Sequence, residues 1–188
     1  MAIMTLSSTF LVATPKWNGT IYERSIIFVC EHHEQGSVGL ICNRPTSFNL
    51  DYICEQLQVD CNNSHFKNMP LLFGGPTQPE RGFVLHQPQG DWRSSLVIKD
   101  DDVILTTSND IIKAMAINNG PEKAMIALGY SGWEPGKLET EIIDDLWLVC
   151  PFKKELLYEV PFSNRWEYAG QAMGVNLNVL TFGTSGHA

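Results

Sequence analysis

Positive charge is what this chain has least of. Its 13 Lys and Arg face 21 Asp and Glu, a formal net charge of −8, and the pI is near 5.0. The basic residues are scattered, with Lys153-Lys154 the only adjacent pair. A nucleic-acid binder concentrates Lys and Arg on one face, so direct nucleic-acid binding is not expected, nor is an anionic membrane surface. No apolar run reaches the roughly eighteen residues of a membrane-crossing helix. The opening M-A-I-M-T-L-S-S-T-F-L-V-A-T-P lacks a basic n-region and has only a short apolar run, so no secretory signal is expected. The five cysteines, Cys30, Cys42, Cys54, Cys61 and Cys150, are odd in number and show no C-x-x-C pair. That argues against a disulfide scaffold or a zinc ribbon and for reduced thiols in a cytoplasmic protein. There is no internal repeat, no low-complexity tract and no Gly-Lys-Ser/Thr phosphate loop.

What is present suits an ordinary globular chain. The 188 residues, 44% hydrophobic and 18% charged, fit one domain spanning 1–188. A chain of this length can withdraw roughly 70% of its unfolded surface from water without disulfides or metals. Strands are expected at 10–13, 25–31, 38–43, 71–73, 82–86, 95–98, 103–106, 124–130 and 146–149. The second and third form a hairpin through 33–36. Helices are expected at 50–57, capped by Asn49 or Ser47, and at 108–117, capped by Ser108. Two more are expected from Pro135 to Asp144 and around Trp166 to Met173, the last capped by Ser163. Strands and helices mix without a βαβ rhythm and most strand links are short, which indicates α+β with a mainly antiparallel sheet.

The densest polar chemistry lies in I-Y-E-R-S-I-I-F-V-C-E-H-H-E-Q-G-S-V-G-L-I-C-N-R-P, residues 21–45. Strand alternation puts Cys30 and His32 on one face, and hairpin closure puts Cys30 opposite Gly39, which cannot cover the thiol. His32 would favour the thiolate, making these two the catalytic candidates. Against this, a lone strand cysteine is commonly a small buried hydrophobe. Cys30, His32 and His33 lack paired metal-ligand spacing, so no metal and no cofactor are expected. Gly74-Gly75-Pro76 offers backbone N–H groups, with Arg81 as a cation, or else simply ends a strand. Gly129-Tyr130-Ser131-Gly132-Trp133 resembles a nucleophile elbow but has Trp133 where the pattern needs glycine. Asp100 to Asp102 and the Lys137–Glu141 pair read as solvated surface. Arg24, Asn43, Arg44 and Arg165 sit within or beside apolar runs, where they either brace strand ends or line a pocket.

Several blocks together resemble the AlgH/YqgE family of small bacterial proteins: F-L-V-A-T-P at 10–15, R-S-I-I-F-V-C-E-H at 24–32 and G-L-I-C-N-R-P at 39–45. The others are F-G-G-P at 73–76, R-G-F-V-L-H at 81–86, A-L-G-Y-S-G-W-E-P-G-K-L-E at 127–139 and the final S-G-H-A. The resemblance spans the chain in order. It implies an α+β domain with a bent, bifurcated sheet folded into a pseudo-barrel with flanking helices, and a bacterial cytoplasmic location. It brings no established reaction. Some members carry the label of transcriptional regulator, yet no helix-turn-helix with a basic recognition helix is visible here. The blocks at 39–45, 73–76 and 81–86 are expected to converge near Cys30, giving Arg24, Asn43, Gly74, Gly75, Arg81 and His86 as candidate ligand-binding residues. No catalytic constellation is complete. The expected role is therefore a non-catalytic module that binds a protein or small molecule; the alternative is a thiol switch or cysteine enzyme centred on Cys30 and His32.

Overall fold

The computed structural model describes residues 5–181. The S-G-H-A block at 185–188 lies outside them, as does the start of the segment read for an export signal. In chain order the elements are β1 (Phe10–Ala13), β2 (Ile26–His33), β3 (Gly36–Ile41), β4 (Pro45–Asn49), α1 (Leu50–Gln56), β5 (Pro70–Phe73), β6 (Thr77–His86), β7 (Ser95–Lys99) and β8 (Val103–Thr106). There follow α2 (Asn109–Ala116), β9 (Ala124–Trp133), α3 (Lys137–Ile143), β10 (Trp147–Cys150), α4 (Lys154–Tyr158) and α5 (Arg165–Ala172).

The strands run in the order β10-β1-β2-β3-β9-β6-β8-β7, with β5 also on β9 and β4 on β5. Every pairing is antiparallel except β5 with β9. Strand β9 is the branch point: Ala127 and Leu128 pair with β5, while Ser131 to Trp133 pair with β3. The result is a mostly antiparallel α+β fold whose bent, bifurcated sheet curls into a half-barrel.

Apolar side chains on both faces of the central strands require cover on both sides, and the helices supply it. Inside the curl, Phe10, Phe28, Leu40 and Leu85 pack with Leu156 and Leu157 of α4 and Trp166 and Ala169 of α5. Behind β2, Ile27 and Val29 meet Leu138 of α3 together with Trp133 and Trp147. A third cluster joins Leu71, Val84 and Ile126 to Leu50 and Cys54 of α1 and to Ile111, Ile112 and Met115 of α2. Each such side chain contributes about 1.5–3 kcal/mol on burial, so these clusters dominate stability.

The capping signals of α1 and α2 hold: Asn49 Oδ1 accepts from Tyr52 N and Ser108 Oγ from Asp110 N. Several local expectations are corrected. Gly39 pairs with Val29, and the register slips between Val29 and Glu31, so Cys30 occupies a β-bulge. Residues 129–133 are the end of β9 and not a turn. Helix α3 starts at Lys137 behind Gly136 (φ 75°), two residues after Pro135. Ser163 Oγ bonds Asn164 Oδ1 and makes no helix cap. Strand β4 and helix α4 were not expected; both are five residues long, too short for periodicity to register. Glu141 is buried, because its Oε2 accepts from the indole N–H groups of both Trp133 and Trp147 at 2.8 Å. Its ion pair with Lys137 (3.8 Å) is the exposed side of that arrangement.

Candidate functional site

Strand β6 gains several residues over β9 between Thr77 and Gly82: Thr77 pairs with Tyr130 and Gly82 with Leu128. Gln78 to Arg81 therefore stand out from the sheet against a single residue, Gly129, with Gln78 at φ 47°. Pro79 suits this place because it cannot donate to a ladder. The outlying segment walls one side of a cavity of about 580 Å³. Phe48 and α1 form a second side, α2 a third, and Val84, Ile126 and Leu128 of β6 and β9 the floor. Ile53, Leu57 and Ile112 complete an apolar lining, with Gln56, Thr107, Ser108 and Asn109 as polar groups. Phe48 and Tyr52 stand at this site 44% and 40% exposed, ring centroids 4.5 Å apart. Volume and lining match those of pockets that take small molecules. A shallower groove of about 340 Å³ lies beside the β2–β3 hairpin, at Glu31, His33, Thr77 and Tyr130.

The residues singled out from sequence are not gathered in this cavity. Cys30 is buried among Phe10, Phe28 and Leu40, its thiol directed at the Phe28 carbonyl (3.7 Å). Burial first, then the nearby Glu31 and Cys42, push its pKa far up, away from thiolate chemistry. The bulge reverses the alternation, so His32 faces α3: its Nδ1 bonds Ser37 Oγ at 2.8 Å and its Nε2 lies 3.5 Å from Glu139. Cys30 and His32 are thus on different sides of the sheet.

Asn43 and Arg24 do meet. Asn43 Nδ2 donates to the Arg24 carbonyl at 2.8 Å, and its Oδ1 accepts from Ile26 N at 2.9 Å. Arg24 lies over the Trp166 ring and pairs with Glu167 (3.1 Å), while Arg44 donates to the carbonyls of Ile21 and Glu23. These groups satisfy one another and brace the chain entering β2, and with Phe162 and Trp166 they also line an open groove of about 460 Å³. Arg165 is buried, makes no ion pair among the described residues, and donates to the carbonyls of Leu157, Val160 and Cys42, holding the end of α4 against the sheet.

Gly74 and Gly75 are in the interior, and the reason is backbone proximity. A Cβ on Gly74 would meet the Gly129 carbonyl at 2.3 Å, and one on Gly75 the Tyr130 carbonyl carbon at 2.1 Å. Gly74 N–H is already bonded to Leu128 O. Arg81 is on the bulge, but its guanidinium lies 5.1 Å over Phe83, whose ring belongs to the cluster inside the curl. His86 is fully buried, with Nδ1 2.7 Å from Gln87 O and Nε2 2.8 Å from Thr106 Oγ1. Burial lowers its pKa. The cavity residues that sequence reasoning missed, Phe48, Tyr52 and Glu80, did leave a signal: two aromatics four apart on the outward side of a capped helix start, and a proline inside a strand pattern.

The fold described is that of an α+β protein of the curled, bifurcated-sheet class. The chain belongs to the AlgH-like family, whose model matches residues 10–178. A UPF0301 protein of Legionella pneumophila (strain Lens) is 52% identical over 186 residues, covering 99% of this chain and 98% of that one. A UPF0301 protein of Laribacter hongkongensis is 38% identical over the full length of both. The solution structure of AlgH from Pseudomonas aeruginosa superposes with a TM-score of 0.80 at 37% identity, over 100% of this chain and 98% of that one. A Corynebacterium diphtheriae protein shares the fold (TM-score 0.69, 18% identity, 91% and 88% coverage). No helix of the described residues is long and apolar enough to cross a membrane.

Proposed function

We propose that this chain is a non-catalytic binding protein that holds a small molecule in the cavity between α1, α2 and the β6 bulge. The carrying observation is the cavity itself: about 580 Å³, with an apolar floor and a mainly apolar lining, and an exposed aromatic pair at its side. Bulges concentrate beside binding sites because they re-aim a strand, and this one builds a wall. The burial of Cys30 and its separation from His32 support binding over thiol chemistry. The buried, unpaired cysteines support a reducing, cytoplasmic setting. A regulatory role of the kind attached to the family would then run through the ligand, and not through DNA.

Gly82 offers a clean test. It lines the cavity, and a Cβ there would meet nothing within 4 Å. Gly82→Leu should fill the space while leaving the fold intact. A fragment library screened by amide chemical-shift perturbation should yield ligands that move Ile53, Ile112 and Ile126 in the parent and lose at least tenfold in affinity in the variant. Hits clustering elsewhere, or unaffected by Gly82→Leu, would refute the reading.

A further inference from the structure

Resting on that reading, we infer that the cavity's ligand is a small organic cation: an ammonium group carried on an apolar body. The argument turns on what the charged groups around the cavity face. Two charged side chains line it, Glu80 and Arg81. Arg81 places its guanidinium over the Phe83 ring, and Phe83 packs in the cluster inside the curl, whereas Val84 of the cavity floor belongs to the opposite cluster. The guanidinium is therefore engaged by that ring and by Gln78 Oε1 at 3.5 Å. Glu80 remains, and it makes no ion pair among the described residues.

The usual attractor of anions is absent as well. The start of α2 reaches the cavity at Ser108 and Asn109, and a helix N-terminus draws negative charge. Here that position is filled from within. The Asp110 carboxylate accepts from Ile111 N (2.9 Å), Arg93 N (3.0 Å) and Ser108 Oγ (2.7 Å). Those hydrogen bonds hold its pKa below the ordinary carboxylate range. A second anion would meet this charge and Glu80 together.

The aromatic pair supplies the complementary half. An ammonium over an aromatic face is held by the ring quadrupole, and more strongly where water is partly excluded. Phe48 and Tyr52 stand with rings tilted 37° to one another, and both remain open to solvent. Two ring faces and an unpaired carboxylate beside a floor of Ile112, Ile126, Leu128 and Val84 fit a cationic head with an aliphatic or aromatic tail. The chain's net charge of −8 favours the approach of such a ligand.

Three probes with the same tail separate the possibilities: octyltrimethylammonium, octanoate and 1-octanol, each titrated below its aggregation or solubility limit by calorimetry and amide chemical shifts. The cation is expected to bind at the cavity at least tenfold tighter than octanoate. Glu80→Gln should weaken it about fivefold, and Phe48→Leu with Tyr52→Leu about tenfold, with octanol little affected by Glu80→Gln. Octanoate or octanol binding as tightly as the cation would overturn the ligand class and leave the cavity reading standing. If no probe moves Ile112 or Ile126, both fall. Glu80 is exposed, so its variant folds as the parent does, and unchanged cation affinity in Glu80→Gln would refute the carboxylate's role.

Discussion

At Cys30, strand β2 carries one residue more than β3 opposite it, and this insertion decides which way the thiol points. Without the slip, Cys30 and His32 would share a face, as the strand alternation expects. With it, the thiol enters an apolar cluster and the imidazole turns to Ser37 and Glu139. Site-resolved alkylation read by mass spectrometry should find Cys30 unmodified in the native protein between pH 6 and about 9, reacting only as fast as the chain unfolds. His32→Ala should not change that rate, and early reaction of Cys30 alone would restore the thiol reading. The same lesson holds at Glu141 and Arg165. Glu141 reads as a surface charge from its neighbours in sequence, and Arg165 as a strand brace or pocket residue; each is buried because groups on other elements, two indoles in one case and three carbonyls in the other, complete its hydrogen bonds.

Among elements, β9 does most to organise the molecule, and glycine lets it do so. The segment at Gly74 and Gly75 lies against Gly129 and Tyr130 at a separation that leaves no room for a side chain, which is how β3, β5 and β6 all reach one strand. Gly75→Ala should destabilise by about 3 kcal/mol or more, measured by urea unfolding, since the contact is backbone on backbone and neither side can yield. Parent-like stability would mean that the two segments are further apart than described. Most elements were legible in advance, because long apolar runs and capping residues at Asn49 and Ser108 act within one turn or strand. The bulges were not. A slip of one residue leaves the alternating pattern intact on either side of it, and only the partner strand reveals the mismatch. For that reason G-G-P-T-Q-P-E-R reads as a turn, although it enters β6 and then leaves the sheet as the cavity wall.

Over the whole molecule, stability should depend on pH through His86. Its burial favours the neutral ring, so its folded pKa lies below the ordinary 6.5. Below pH 6.5 the unfolded chain takes up a proton that the folded one resists, so this contribution is full above that pH and is lost on acidification. Urea unfolding from pH 7.5 to about 5 should show declining stability. His86→Asn should lower stability at pH 7 by about 1–3 kcal/mol, from broken hydrogen bonds, and flatten the decline. An unchanged slope in the variant would remove His86 as its source.

The sequence by itself determined the family, the α+β class, the acidic surface and most strands and helices. All of these rest on composition, ordered motifs and local periodicity, which any stretch of chain carries with it. Only the tertiary structure decided which polar residues are taken up by the rest of the fold and which side chains line a cavity. Cys30, Asn43, Gly74, Gly75 and His86 are taken up by contacts with residues remote in the chain, while Phe48, Tyr52 and Glu80 are brought together by α1, α2 and a bulge. Side-chain chemistry is local, but whether a group is left unsatisfied and open to a ligand depends on what the rest of the fold places against it.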